Sequence, residues 1–560
     1  MTETREVTLE VRGMTCDHCE RTVTKALKAV PGVEAVLDVS YEAGEARVLA
    51  GRDVDTDSLE QAVARVGYRG RVRDSGRPGP TGAPAERPRV ASRGKVEFDL
   101  VIVGGGSAGF AAAIKGAELG ARVAMVEGGT LGGTCVNVGC VPSKTLIRAA
   151  ETQHRRGHHS FRGIAATGGR PEWMEVRDQK DELVGDLRTA KYWDVLRSYE
   201  TVSLFERHAT VTSGLTVILD GGRQLTAGKV IITTGASPWA APIPGLTDVR
   251  YLDSTSAMAL ERLPTSMIVI GGSAVGLELA QMFARLGAHV TVLEALPRLV
   301  PAEDPAVGEA LARYLAAEGL HIHAGVTIEQ VERTDCYTVH LRSAERSGRA
   351  TAEQLLVATG RRPNSRGLGL EEAGVTLGKE GEILVNQHLQ TSNPDIYGAG
   401  DVIGDPMFVY VAAYGGALAA ENALNGNHRR YDLTALPKVT FTDPAVASVG
   451  LTEADARKQG MEPLVSTLQL EHVPRALAAR DTRGFVKLVA DRSTRRIIGA
   501  HILAAEAGEM ITEPALAIKF GLTIEDLTST FHPYLTLSEG IKLAAQTFNK
   551  DVAKLSCCAA

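Results

Sequence analysis

The chain has 560 residues, 44% of them hydrophobic, with a net charge of -6 and a pI near 6.2. That length implies several domains rather than one core, and the composition is that of an ordinary soluble globular protein. The mild acidity argues against nucleic acid or an anionic membrane as partner. With no export signal and no unbroken apolar span, a cytoplasmic location without stable membrane insertion is expected.

Residues 1–73 alternate between strand and helix patterns. REVTLEVRG reads as a strand, ERTVTKALKAVPGV as a helix ended by Pro-Gly, and EAVLDVS and EARVLA as strands. DSLEQAVARVG is helical and YRGRVR a last strand, giving a ferredoxin-like βαββαβ order. Residues 74–95, rich in Pro, Gly and charge without an apolar period, read as a flexible linker. At EFDLVIVGG a second, α/β architecture begins, and a similar strand–turn–helix recurs at SMIVIGGSAVGLELAQMFARLG. Two Rossmann-like dinucleotide-binding units are therefore expected, the second inserted into the first: 96–240 and 366–430 for one, 241–365 for the other. Residues 431–560 mix strands with amphipathic helices and read as a further α+β domain.

Gly104, Gly106 and Gly109 form GxGxxG directly after an apolar strand. Such glycines let backbone approach a pyrophosphate at a helix N-terminus. Glu127 ends the next strand at the spacing of a ribose hydroxyl partner. The second unit carries Gly271, Ser273 and Gly276, with Glu278 on the helix and Glu294 at the strand end. A carboxylate at Glu294 favours the free 2′-hydroxyl of NADH and would repel the 2′-phosphate of NADPH. Arg298, four residues on, either offsets that repulsion or is a solvated surface arginine. Asp401 closes TSNPDIYGAGD. Two sites plus this segment suggest that one unit keeps FAD while the other exchanges nicotinamide.

Six of the seven cysteines come as close pairs: Cys16 and Cys19 in GMTCDHCE, Cys135 and Cys140 in GGTCVNVGCVPSK, and Cys557 with Cys558 near the end. Thiolates hold soft metals and also perform disulfide exchange; a structural disulfide framework is not expected in reducing cytosol. Cys140 precedes a Pro-initiated helix, whose dipole lowers a thiol pKa. Cys336, alone in RTDCYTVH, reads as an ordinary strand or loop residue.

Over residues 96–550 the chain resembles the pyridine nucleotide–disulfide oxidoreductases. The residues that carry the likeness are GGGSAG, CVNVGC with PSK, ATGRRPN and GAGD. The resemblance implies a flavin beside Cys140, an outer thiol at Cys135, Lys144 near the flavin N5, and Asp401 on the ribityl chain. Thr134, Gly235 and Gly360 would be further cofactor contacts, and residues 431–560 a dimerisation domain with a Cys-Cys tail. GMTCDHC resembles the heavy-metal-associated domains, so Cys16 and Cys19 would bind one soft cation. LSCCAA and TFNKDV resemble the mercuric reductase branch, as do Tyr192 in AKYWDVL and Tyr534 in HPYLT. That likeness implies FAD-dependent reduction of Hg(II) to Hg(0) by NADPH, with NADH a possible alternative, in mercury resistance. Hg(II), arriving as thiol complexes, would pass from the N-terminal and C-terminal pairs to Cys135 and Cys140. The enzyme would be a homodimer with active sites shared between subunits. His532 occupies the histidine position of a family acid/base pair. Leu537 stands where glutamate is usual, with Glu539 two residues further, so His532 is as consistent with packing as with catalysis. Two other readings stay open: a disulfide reductase whose C-terminal pair shuttles electrons, and a metal-binding flavoprotein without turnover.

Overall fold

The computed structural model describes residues 4–12, 17–40, 44–51, 54–66, 68–73, 96–344 and 346–555. It divides into two units, 1–91 and 92–560. The first contains β1 (Thr4–Arg12), α1 (Asp17–Lys28), β2 (Val33–Ser40), β3 (Glu45–Gly51), α2 (Thr56–Arg65) and β4 (Arg69–Arg73). The four strands make one antiparallel sheet in the order β2-β3-β1-β4. The period-2 pattern of β1 buries Val7, Leu9 and Val11 on one face. There they meet Val23 and Leu27 of α1 and Leu59 and Val63 of α2. This is the expected βαββαβ unit. Residues 74–95, read as a linker, lie outside the described residues.

The second unit opens with β5 (Phe98–Val103), α3 (Ser107–Glu118) and β6 (Val123–Val126), followed by α4 (Gly133–Val138) and α5 (Cys140–Gly157). After α6 (Trp173–Arg188) come β7 (Val202–Phe205), β8 (Ala209–Val211), β9 (Thr216–Leu219) and β10 (Gln224–Ile232). The sheet order is β7-β6-β5-β10-β9-β8, with strand Ile396–Gly398 parallel to β10. β5 ends in the apolar run Leu100–Val103, which is fully buried because both faces of the sheet are covered. On one side lie α3 and the helix Val409–Asn425, and their close packing depends on small residues. A Cβ at Gly416 would overlap the Ala108 carbonyl.

The second parallel sheet runs His321–Ala324, His289–Glu294, Ser266–Ile270, Gln354–Val357. Its helix Ala274–Arg285 is buried on nearly every side. It docks on the C-terminal region, where a five-stranded antiparallel sheet spans residues 438 to 504. Gln281 accepts from the Asp443 amide at 2.8 Å, and Arg285 pairs with Glu318 at 2.7 Å and Asp443 at 2.9 Å. Arg483 reaches the same Glu318 and Asp443, each at 2.9 Å. These charges compensate one another, which is what burial of ions requires. The network fixes the second dinucleotide fold against the C-terminal sheet, and with it the helix that supplies Glu278. Cys336 sits half-buried in the turn between the strands Thr327–Arg333 and Tyr337–Arg342. Among the described residues, no helix is long and apolar enough to cross a membrane.

Candidate active site

A cleft of about 960 Å³ opens at the carboxyl end of the first sheet, beside α4 and α5. Its lining includes Gly104, Gly106, Glu127, Thr134, Gly235 and Asp401, together with Cys135, Cys140, Lys144 and Glu278. Residues far apart in sequence thus converge on one site, as expected at the strand ends of an open α/β sheet.

The cradle at its floor is made of backbone. Gly104 has a φ of +112°, which a side chain rarely adopts, and a Cβ there would overlap the Thr233 carbonyl. A Cβ at Gly109 would overlap the carbonyl of Gly104, so α3 starts hard against the turn. Glu127 holds this turn in place, one carboxylate oxygen accepting from the Gly105 amide and the other from Gly129, each at 2.6 Å. At the far end Asp401 follows the strand Ile396–Gly398, and burial raises its pKa against the opposing charge of Arg361. A glycine-rich turn lining the cleft, a carboxylate at the strand end and a second carboxylate at the opposite wall fit a dinucleotide such as FAD.

The thiols lie at the junction of α4 and α5. The helix α5 begins at Cys140 itself, two residues before Pro142, so Cys140 stands in the first turn rather than ahead of it. The hydrogen bond from the Cys135 thiol lowers Cys140 to about 7, and the positive charge of Lys144 adds to this against the burial of the site. The same bond, with desolvation, raises Cys135 well above the usual thiol range. Cys140 is therefore the resident thiolate and Cys135 its proton-bearing partner. Both are free cysteines.

Lys144 is placed by two contacts. Its Nζ meets Glu278 Oε2 at 2.7 Å and lies 4.6 Å from the centroid of the Phe441 ring. The other Glu278 oxygen accepts from the Phe441 amide at 2.9 Å. Glu278, expected from the sequence as a cofactor-binding residue of the second unit, lines the first cleft and links both dinucleotide folds and the C-terminal region there. Tyr192 does not line the cleft but stands beside it. Its ring is 4.7 Å from Phe110, and burial raises its phenol, which hydrogen-bonds to Ser107 and feels the charge of both cysteines. The cleft also takes in Tyr410, Phe408 and Arg361. Tyr410 and Phe408 had no sequence signal, whereas Arg361 lies inside ATGRRPN.

The second fold repeats the first. Gly271 has a φ of +117°, and a Cβ at Gly276 would overlap the Gly271 carbonyl. Ser273 takes ψ -171°, the value Gly106 takes at the equivalent position, so the serine preserves the turn. Gly360 follows the strand Gln354–Val357. None of these residues of the second fold, nor Glu294, lines the first cleft.

Tyr534 is 53% exposed and is not among the residues lining the cleft of its own chain. His532 is paired with Glu513 rather than with position 537 or 539: Nε2 lies 2.7 Å from Glu513 Oε1, and Nδ1 donates to the Thr530 carbonyl at 3.1 Å. The Glu513 bond raises the His532 pKa. Cys16, Cys557 and Cys558 lie outside the described residues, as does the side chain of Cys19 on α1. Val552 and Leu555, at the end of the described residues, pack against the C-terminal core.

Two dinucleotide folds meeting at a thiol-bearing cleft, with an antiparallel sheet domain attached, define a two-nucleotide redox enzyme. The profile described as pyridine nucleotide-disulphide oxidoreductase matches residues 98–416, its dimerisation domain matches 436–545, and the heavy-metal-associated domain matches 8–69. A mercuric reductase of Staphylococcus aureus is 43% identical over 558 residues, covering 98% of both chains. One from Shigella flexneri is 44% identical over 99% of this chain and 100% of its own. One from Streptomyces lividans is 48% identical over 468 residues, 82% of this chain and 98% of its own. Among solved structures, the HOCl-induced flavoprotein disulfide reductase RclA of Escherichia coli has a TM-score of 0.72 at 29% identity, over 80% of this chain and 99% of its own. The chain belongs to the pyridine nucleotide-disulphide oxidoreductases and, within them, to the mercuric reductases. Enzymes of this branch are flavoproteins that use FAD and NADPH, and the dimerisation domain makes a homodimer.

Proposed function

We propose that this protein reduces Hg(II) to Hg(0), with Cys135 and Cys140 as the ligands that present the metal for reduction. The observation that carries this reading is the thiol pair itself, one member ionised near neutrality, beside the Lys144–Glu278 ion pair. Bound FAD supplies the two electrons it receives from the nicotinamide. The residues of the chain hold and exchange the metal. An incoming Hg(II) held by two thiolates meets the Cys140 thiolate first. A Hg–S bond to Cys140 forms as one to the donor breaks. Cys135 then gives up its proton, which passes to the departing donor thiolate, and takes the second position. After reduction the metal leaves as neutral Hg(0), for which thiolates have little affinity, and both cysteines are free again. Tyr192 stands next to this exchange as a half-buried phenol able to hydrogen-bond to a thiolate.

We assign Cys557 and Cys558 the role of carrying Hg(II) inward, and the partner subunit's copy of this tail serves the cleft, with His532 and Tyr534 on the same segment. Cys16 and Cys19 acquire the metal at the N-terminal unit. A reducing cytoplasm, which keeps all these thiols free, fits the chemistry best.

RclA, named a disulfide reductase, favours a second reading in which a disulfide is the acceptor. Nicotinamide oxidation in excess thiol, driven by Hg(II) in one cuvette and by a disulfide panel in the other, separates the two. Turnover with Hg(II) and not with disulfides is expected; the opposite pattern would replace this reading with the second.

A further inference from the structure

The two dinucleotide folds use their strand-end carboxylates identically. Glu127 accepts from Gly105 and Gly129, each at 2.6 Å. Glu294 accepts from Gly272 at 2.6 Å and from Leu296 at 2.7 Å. FAD ends in an adenosine whose ribose 2′-hydroxyl is free, so the Glu127 arrangement is one that suits such a ribose. NADH ends in the same adenosine. NADPH differs there by a 2′-phosphate carrying between one and two negative charges.

Glu294 cannot turn away from that phosphate. It is 8% exposed, and both its oxygens are held by backbone amides. Nor, among the described residues of the adjoining turn, is a cation turned to offset it. Arg298, the only basic side chain in the following turn, donates through Nη2 to the Pro301 carbonyl at 3.1 Å, and its Nε is buried without a partner. The chain flanking the carboxylate is Ala295, Leu296 and Pro297 on one side and Ala324 and Gly325 on the other, joined by the Gly325 amide to the Leu296 carbonyl at 2.8 Å. None of these carries charge.

We infer that Glu294 reads a free ribose 2′-hydroxyl in the second fold, and that this protein takes NADH in preference to NADPH, against the habit of its branch. The inference rests on the second fold being the nicotinamide site. It is independent of the metal chemistry, so its test needs no mercury. Full-length FAD-loaded protein is titrated calorimetrically with ADP-ribose and with 2′-phospho-ADP-ribose, which differ only at the position in question, and then with NAD⁺ and NADP⁺. Tighter binding of the unphosphorylated member of each pair, by about tenfold or more, is expected. Equal or tighter binding of the phosphorylated member overturns the inference. If neither binds, the nicotinamide assignment falls with it, whereas failure of Hg(II) turnover with the preference intact touches only the proposed function. Glu294→Gln keeps the side-chain shape and one amide bond while removing the charge. It should narrow the gap, chiefly by tightening the phosphorylated ligand. An unchanged gap in a folded Glu294→Gln protein would mean that another group reads the ribose.

Discussion

At the scale of single residues, the asymmetry between the two inner thiols organises the chemistry. Cys140 is lowered to about 7 by the Cys135 hydrogen bond and by Lys144, so it is ionised above that pH and protonated below it. Metal capture should therefore slow on the acid side of neutrality, by about tenfold for each further pH unit once the thiolate is the minor form. Thiolate absorbance followed against pH in wild type and Cys140→Ser gives the assignment, and a titration at the ordinary thiol value would refute it. Replacing Cys135 or Cys140 with Ala should abolish Hg(II) turnover while leaving FAD bound, because the flavin cradle is built from other residues. His532 offers a second titration. Its pKa is raised by Glu513, so the pair stabilises the fold below the unfolded histidine value and loses that contribution as pH rises through the folded one. The difference in Tm between wild type and Glu513→Gln should be largest in acid and shrink toward alkaline pH; a constant difference would deny the pair any pH-linked role.

At the scale of elements, the glycine-rich turns were legible because their spacing obeys a simple rule of close approach. The strand before each turn and the carboxylate after it were legible for the same reason. The partners of those carboxylates were not. Lys144 and Glu278 are 134 residues apart and meet only because one helix docks across the other fold. The Glu513 partner of His532 sits on a neighbouring helix, Thr512–Phe520, so a search at fixed spacing after the histidine misses it. Tyr410 and Phe441 reach the cleft from a helix start and from a loop of the C-terminal region, and neither carries a motif. The duplicated turns give a paired prediction. Gly109→Ala and Gly276→Ala each force a methyl group into a backbone carbonyl that cannot yield, at a cost of about 1–3 kcal/mol. Gly109→Ala should lose FAD, whereas Gly276→Ala should keep its flavin spectrum and weaken nicotinamide binding. Equal loss of flavin in both would contradict the division of labour between the folds.

At the scale of the whole molecule, the protein is a catalytic body preceded by a separate metal-binding unit. The sheet of that unit closes its own core around Leu9 and Val63, and it forms a compact unit of its own. Deletion of residues 1–94 should leave a folded dimer with flavin and turnover largely intact at ample Hg(II). A deletion variant that retained less than about a tenth of wild-type kcat would make the unit part of the catalytic machinery. The tail predicts a different defect: alanine at both Cys557 and Cys558 should cripple turnover of thiol-bound Hg(II) and leave flavin reduction by nicotinamide unchanged. Slowed flavin reduction in rapid mixing would exclude a pure transfer role.

The central claim, that the inner thiols present Hg(II) for two-electron reduction, is tested most directly by trapping the volatile product. Elemental mercury swept from the reaction should match nicotinamide consumed mole for mole in wild type, and fall to background in Cys135→Ala and Cys140→Ala with FAD still bound. Nicotinamide consumption without Hg(0), or Hg(0) formed at wild-type rate by either variant, would contradict the account.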